Sequence, residues 1–141
     1  MTILNVGNQG LTELDLSKNL KLICLYCHEN KLTELDINKN LQLRELYCDD
    51  NQLTALDLRN NLNLESIGCS NNKLTKLNLS QNIELIELYC SSNSLVELDL
   101  TKNLQLTYVN CTNNPNLKQI IIKKGQEFSL AGDNHTKIIA V

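Results

Sequence analysis

The sequence predicts a parallel β-solenoid, because it repeats with a fixed period. Five rows of 21 residues begin at Leu11, Leu32, Leu53, Leu74 and Leu95, with no insertion or deletion between them. A constant period of this size is typical of solenoids, in which each repeat packs only on its neighbours. Every row also contains the pattern L-x-x-(L/I/V)-x-(L/I/C)-x-x-N twice, the first copies lying at residues 11–19 and 22–30. The repeat unit is therefore nested, with two similar halves in each turn.

Each half-row is expected to contribute one strand, because its apolar and polar residues alternate as they do in a half-buried strand. The predicted strands of one side are 13–17, 34–38, 55–59, 76–80 and 97–101. Those of the other side are 24–28, 45–49, 66–70, 87–91 and 108–112. The predicted architecture thus has two parallel strand columns in each 21-residue turn, with very little helix.

An asparagine ends every half-row, and this regularity predicts two structural ladders. A sharp turn leaves inward-facing backbone groups without ladder partners, and a buried unpaired group costs about 1–3 kcal/mol. An asparagine side chain both donates and accepts hydrogen bonds, so a stacked column of them can satisfy these groups. The predicted ladder residues are Asn19, Asn30, Asn40, Asn51, Asn61, Asn72, Asn82, Asn93, Asn103 and Asn114.

Five of the six cysteines recur every 21 residues at a core position that leucine or isoleucine occupies in the other half-row. They are Cys27, Cys48, Cys69, Cys90 and Cys111. Neighbouring parallel strands lie about 4.8 Å apart with parallel side chains, whereas a disulfide requires Cβ atoms about 3.8 Å apart and directed at each other. We therefore expect a structural column of free, buried thiols that pack as small hydrophobic groups.

The two ends of the array depart from the regular rows. Residues 1–10 follow the half-motif, so the chain is expected to begin within a repeat, either as part of a longer array or with this end covered by a partner or a second copy. After Pro115 the register shifts by one residue, and 116–122 form a degenerate repeat. We predict a repeat array over 1–122 and a C-terminal cap over 123–141, built as a hairpin or as a loop and strand.

The motif letters identify the family that the sequence resembles. The stretch 22–37 reads L-x-x-L-x-C-x-x-N-x-L-x-x-L-D-I, which is similar to the short 21-residue nested class, sometimes called IRREKO, of the leucine-rich repeat family. The resemblance implies a right-handed solenoid, placed in the α/β class by convention, and a protein-binding role in bacterial surface or secreted proteins. The departures are Gly68, where a tyrosine would extend a stack, Asn78 in place of aspartate, and Val96 in place of threonine.

Composition and motifs argue against several function classes. The net charge is −3 and basic residues are scattered singly, which disfavours nucleic acid and anionic membranes as partners, and no apolar run reaches the roughly 20 residues of a membrane helix. No phosphate-binding loop, nucleophile elbow or zinc helix is present in the sequence, so we expect no enzyme activity and no cofactor.

Metal binding is also not expected. Cys24 and His28 are separated by about 13 Å of strand, which is too far for two ligands of one ion. The acidic column could in principle bind calcium, but neighbouring Thr, Ser and Lys side chains can satisfy its carboxylates, and this remains open. Its aspartates are Asp15, Asp36, Asp57 and Asp99.

The tyrosines mark the predicted binding face. Tyrosine is a favoured interface residue because it offers a large contact area and a hydroxyl at low rotamer cost, although tyrosines also simply suit strands. The proposed binding residues are Tyr26, Tyr47, Tyr89, Tyr108, Glu45, Glu87, His28 and Asp49. We predict a non-catalytic module that binds a protein, or a glycan, through this face.

Three further expectations concern the setting of the module. The alternative function is a structural spacer that displays another domain in a larger protein. Self-association end to end, through the apolar layer of the first half-repeat, is expected if the array is uncovered there. The resemblance implies an extracellular or cell-surface location for the parent protein; the chain itself has no signal peptide and leaves a cytoplasmic location open.

Overall fold

The computed structural model describes residues 2–141 as a parallel-strand solenoid, which confirms the predicted fold class. Within these residues no segment is helical. Met1, which the sequence assigns to the first half-motif, lies outside the described residues. The strands are β1 (Ile3–Asn5), β2 (Cys24–Tyr26), β3 (Glu45–Tyr47), β4 (Ser66–Gly68), β5 (Glu87–Tyr89), β6 (Glu97–Asp99), β7 (Tyr108–Asn110), β8 (Gln119–Ile122), β9 (Ser129–Ala131) and β10 (Lys137–Ala140).

One long sheet runs along the solenoid, with the order β1-β2-β3-β4-β5-β7-β9. All its strands pair in parallel, and consecutive strands are offset by 21 residues, as in the pairing of Leu25 with Leu46 and of Leu46 with Ile67. Five predicted strands belong to this sheet, and each begins at the predicted residue but ends two residues earlier. This sheet is therefore the regular side of every turn.

The second strand column was predicted for five rows but is a sheet only near the C-terminus. There β6, β8 and β10 pair in the order β10-β8-β6, whereas residues 13–17, 34–38, 55–59 and 76–80 are not strands, and the prediction of strands there was wrong. Each of these rows opens a local turn, in which Asp15 Oδ1, for example, accepts a hydrogen bond of 2.9 Å from Ser17 N–H. The same bond, from Thr101 N–H to Asp99 Oδ1, is present in the row of β6, so it is compatible with pairing and does not account for the missing strands.

The C-terminal residues continue both sheets instead of folding back on themselves. Strand β9 pairs in parallel with β7, with Val109 opposite Leu130, and β10 pairs in parallel with β8, with Ile138 opposite Ile120. These parallel pairings exclude the antiparallel hairpin that was one alternative for residues 123–141. The limits of the predicted array and cap stay a prediction.

The core is a single column of aliphatic and thiol side chains enclosed by the turns. Each complete row buries about six of them, and the central ones, such as Leu46 and Ile67, have no exposed surface. The five cysteines of the repeated position are free and buried. Removal from water raises the pKa of these thiols, to about 12 for Cys27, so they remain neutral and unreactive in the folded protein.

The asparagine columns join the rows at both turns, but in two different ways. In the column that ends the long-sheet half-rows, Asn51 Nδ2 donates to the carbonyls of Cys27 and Cys48, at 3.0 and 3.1 Å, while its Oδ1 accepts from Leu32 N–H at 3.0 Å. In the other column Nδ2 donates in the same way, but four buried Oδ1 atoms lack a hydrogen-bond partner. These four belong to Asn40, Asn61, Asn82 and Asn103.

Candidate functional site

The tyrosines lie on the outer face of the long sheet, because residues at every second position of a strand point to the same side. In each strand the central residue enters the core and its two neighbours point outward. The strand register places Tyr26, Tyr47, Gly68 and Tyr89 in one column. Tyr108 lies in the adjacent column, opposite Glu87. All four tyrosines are half-buried, and we call this surface the tyrosine face.

The rings form two pairs. Tyr26 and Tyr47 are stacked, with ring centroids 5.5 Å apart and ring planes 6° from parallel. Tyr89 and Tyr108 are 5.4 Å apart and tilted by 45°. Contacts of this kind contribute about 0.5–1.5 kcal/mol per pair beyond burial. The tyrosine face is therefore partly ordered by its own ring contacts.

Three of the hydroxyl groups are held by neighbouring side chains. The Tyr26 hydroxyl donates to Glu45 Oε2 at 2.6 Å, and the Tyr47 hydroxyl is 2.7 Å from Ser66 Oγ. The contact from Tyr89 to Glu87 is longer, at 3.5 Å. The bond to Glu45 and burial together raise the pKa of Tyr26 to about 12. These contacts restrict the tyrosine side chains before any partner binds, which lowers the entropy cost of binding.

A row of small residues separates the two tyrosine pairs. Its outward residues are Ser66, Gly68 and Ser70, so no ring occupies the position between Tyr47 and Tyr89. A Cβ atom on Gly68 would lie 2.6 Å from Tyr47 Cδ1 and 2.5 Å from Asp49 Oδ2. Glycine at this position thus lets both side chains lean over the backbone of the next row. The departure from the repeat pattern at Gly68 divides the tyrosine face into two halves.

Asp49 and His28 border the face on the side where the strands end. Asp49 Oδ1 accepts a hydrogen bond of 2.8 Å from Ser70 N–H, and Ser70 is in turn bonded to Ser91. His28 packs over Gly7, where a Cβ atom would lie 2.6 Å from the imidazole ring. Both side chains thus cross to an adjacent row. The structure places all eight predicted binding residues along this one side of the solenoid.

The raised pKa of Asp49 predicts how the stability of the folded protein depends on pH. Burial raises this pKa above 3.8, although Ser70 donates to the carboxylate. The folded state then binds the proton more tightly than the unfolded chain, so the charged carboxylate opposes folding above its folded pKa, and this penalty disappears as the pH falls towards 3.8. We expect Asp49→Asn to melt at a higher temperature than the parent at pH 7, with the difference shrinking on acidification.

Asp15→Asn is the matched control for that prediction. The hydrogen bond from Ser17 N–H lowers the pKa of Asp15, so its charge favours folding and the sign is opposite. Thermal melts of the parent and both variants, recorded from neutral pH to below pH 3.8, make the comparison. A neutral-pH melting temperature of Asp49→Asn at or below that of the parent would contradict the burial argument.

The side chains of the acidic column, on the other side of the solenoid, accept hydrogen bonds within their own turns. The Oδ1 atoms at this position accept from the backbone N–H two residues later in five rows, including Asn78, which bonds Ser80 at 3.0 Å. The position therefore needs an acceptor rather than a charge, which accounts for Asn78. Among residues 2–141 no group of three or more His, Cys, Asp or Glu side chains is arranged to bind a metal ion.

Solved structures of other proteins share this geometry. The chain superposes on the functional domain of InlJ from Listeria monocytogenes with a TM-score of 0.87 and 32% identity, over 98% of this chain and 35% of that one, and the InlJ domain is described as including a cysteine ladder. The chain belongs to the leucine-rich repeat family. The cysteine column of this leucine-rich repeat protein thus has a counterpart in a solved relative. The chain spans about a third of the length of that relative.

Two more distant structures share the fold. An internalin, inlF, from L. monocytogenes str. 4b F2365 matches with a TM-score of 0.63 and 16% identity, over 74% of this chain and 36% of that one. Internalin C2 of the same strain matches with a TM-score of 0.52 and 18% identity, over 86% and 80%. No family model matches the sequence, and a search of curated proteins found no match. No helix within residues 2–141 has the length and apolar character needed to cross a membrane.

Proposed function

We propose that this leucine-rich repeat protein is a non-catalytic binding module that recognises a protein through the tyrosine face. Domains of the internalin and leucine-rich repeat kind, to which the chain is similar, are generally protein-interaction modules. The observation that carries the proposal is the pair of ring contacts, Tyr26 with Tyr47 and Tyr89 with Tyr108, on one side of a regular sheet. The outward positions of that side vary from row to row while the core does not.

The chemistry of the face suits a partner with apolar and hydrogen-bonding groups. Tyrosines supply large, rigid surfaces, and Glu45 and Glu87 add acceptors beside them. The side chains of Tyr47 and Asp49 fill the space over Gly68, so a partner contacts the rings themselves. A glycan that stacks its sugar rings on the tyrosines is the second class of ligand compatible with this surface.

The test is a capture experiment with matched variants. Immobilised parent protein is compared with Tyr47→Ala/Tyr89→Ala on the tyrosine face and with Thr54→Ala/Lys76→Ala, which changes exposed residues on the other side. Bound proteins are identified and quantified by mass spectrometry, and circular dichroism checks that all three fold. We expect a set of partners whose captured amount falls at least about tenfold with the tyrosine-face variant and is unchanged with the control variant. Equal capture by both variants would refute the role of the tyrosines.

A structural spacer remains the second candidate, favoured by the uniform hydrogen bonds between rows. Asn51, Asn72 and Asn93 repeat the same three kinds of contact with their neighbours, which makes the array stiff along its axis. A spacer would capture no partner in the experiment above. End-to-end association through the first row, where the core residues Leu4 and Val6 are only partly buried, belongs to the same proposal.

The proposed location is the bacterial surface or the extracellular medium. It rests on the resemblance to internalins of L. monocytogenes. Labelling of intact cells that express the natural gene, with an antibody raised against this chain, tests it. Labelling only after the cells are permeabilised would contradict it.

A further inference from the structure

An exposed aliphatic ridge follows one turn of the solenoid. In every complete row the residue after the first asparagine is a large aliphatic one, and each is 51–55% exposed. We call this set the aliphatic ridge: Leu20, Leu41, Leu62, Ile83 and Leu104. Rows lie about 4.8 Å apart, so the ridge is a straight line about 19 Å long. It lies in the turn that leads into the long sheet, six residues before Tyr26, Tyr47 and Tyr89 in their rows.

The turn itself does not require aliphatic residues at this position. Each turn is closed by a hydrogen bond such as that from Leu43 N–H to Asn40 O, at 3.2 Å, and the residue after the asparagine occupies the second position, which accepts most residue types. The other turn of the solenoid provides an internal comparison. There the residues that follow the ladder asparagine are Lys31, Gln52, Lys73, Ser94 and Pro115. The other turn is one residue shorter, with the next core leucine two positions after Asn51 instead of three as after Asn40, so the exposed aliphatic residue is a feature of the longer turn alone.

The aliphatic ridge is large enough to contribute to an interface. Five half-exposed aliphatic residues present on the order of 450 Å² of apolar surface in one line, within the ~300–600 Å² range of the largest patch on a typical monomer. The methylene stems of the adjacent lysines, Lys18, Lys21, Lys39 and Lys102, extend this surface while their ammonium groups stay in water. The aliphatic residues alone supply about half of the roughly 800 Å² per partner of a standard interface, and the lysine stems add to this area.

We propose that the aliphatic ridge docks on the same ridge of a second copy of this chain. A second copy presents aliphatic side chains at the same spacing between rows, so those of one ridge fit between those of the other along the whole line. A globular partner lacks this repeat and would match only one or two of the five. The contact is isologous and closes as a two-fold dimer, in contrast to end-to-end association, which continues from copy to copy.

The lysines give this dimer a characteristic response to salt. Among the residues two before and one after each ridge residue, four are lysine and one, Glu84, is acidic. Two ridges in contact bring lysines of both copies towards each other, and salt screens their repulsion. Added salt therefore strengthens the dimer. Binding of the same ridge to an acidic protein or an anionic lipid surface would instead weaken as salt is added.

Analytical ultracentrifugation of the parent and three variants tests the proposal. Leu41→Gln/Leu62→Gln/Ile83→Gln alters the ridge, Gln52→Ala/Lys73→Ala alters the opposite turn, and Val6→Gln alters the partly buried core layer at the N-terminal end. We expect a parent dimer whose dissociation constant falls with added salt and rises at least about tenfold in the ridge variant only. Circular dichroism confirms that each variant folds, as expected for exposed and partly buried positions.

Three outcomes overturn the proposal. They are a parent that stays monomeric at every concentration, a dimer that the ridge variant keeps, and a dimer lost only in Val6→Gln. Because the ridge variant leaves every residue of the tyrosine face unchanged, its capture of partners is expected to equal that of the parent. The failure of this proposal and of the proposed binding function can thus be told apart.

Discussion

Replacing Asn72 by alanine is expected to destabilise the solenoid by about 2–6 kcal/mol. Asn72 is nearly buried, and its side chain bonds groups in two rows: it donates to Cys48 O and Cys69 O, and it accepts from Leu53 N–H. Alanine leaves Leu53 N–H without a partner, which costs about 1–3 kcal/mol, and each carbonyl loses one hydrogen bond worth about 0.5–1.5 kcal/mol but keeps the donor of a neighbouring ladder asparagine. Chemical denaturation, monitored by circular dichroism, measures the loss.

Asn82→Ala is the matched comparison, because it makes the same deletion in the other ladder. Asn82 also donates to two carbonyls, Leu58 O and Asn61 O, but its Oδ1 has no donor in the structure. The substitution therefore removes one unpaired acceptor and creates none, because Leu58 O still accepts from Asn61 N–H and Asn61 O still accepts from Leu64 N–H. We expect Asn82→Ala to cost less than Asn72→Ala. Equal losses would indicate that the Oδ1 atoms of the second ladder have partners too, with buried water the natural candidate.

These two ladders show how far the sequence predicts the fold. The period of 21 residues, the starts of the strands in the long sheet and the packing positions all follow from spacing, because each side chain has the same surroundings in every row. The difference between the ladders does not follow from spacing, since Asn72 and Asn82 occupy the same place in the repeated pattern. It arises from how each turn directs its backbone N–H groups.

The second strand column shows where periodicity misleads. Alternation predicts a strand wherever Leu-x-Leu occurs, but the ladder between rows is absent for residues 13–17, 34–38, 55–59 and 76–80. Pairing on this side begins with β6, although Asp99 accepts from Thr101 N–H there as Asp15 accepts from Ser17 N–H. Alternation therefore indicates which side chains enter the core, and not which backbone groups pair between rows.

The candidate site was only partly predictable. The tyrosine column and its acidic neighbours follow from the repeat, but the pairing of the rings does not, because it depends on Gly68 and on the shift of Tyr108 by one column. The aliphatic ridge was visible in the sequence as repeated Asn-Leu and Asn-Ile pairs, yet an apolar residue beside a buried asparagine is easily assigned to the core. Only the exposed fraction, which is about half at each position, shows that the side chains of the aliphatic ridge lie on the surface.

The second large effect is the loss of stability when a core leucine is shortened, which is expected to be greater in an inner row than in an end row. Leu46→Ala is expected to cost about 2–5 kcal/mol, the usual range for a buried leucine, because Leu46 has no exposed surface and lies between Leu25 and Ile67 of the adjacent rows. Leu4→Ala removes the same atoms from β1, where Leu4 is half-buried and pairs with Leu25 alone. In this chain of 141 residues we expect Leu4→Ala to cost less than half as much stability as Leu46→Ala.

The comparison tests whether stability is carried by nearest-neighbour contacts between rows. In a one-dimensional array each row contributes its own folding term and one interface with each neighbour, so a cavity in an inner row weakens two interfaces and one in an end row weakens a single interface. Denaturation curves of both variants and of the parent give the two losses. Similar losses at Leu4 and Leu46 would mean that the first row is covered in solution, as end-to-end pairing would cover it. Repeating the measurement at several protein concentrations distinguishes that case, because only an association-dependent loss changes with dilution.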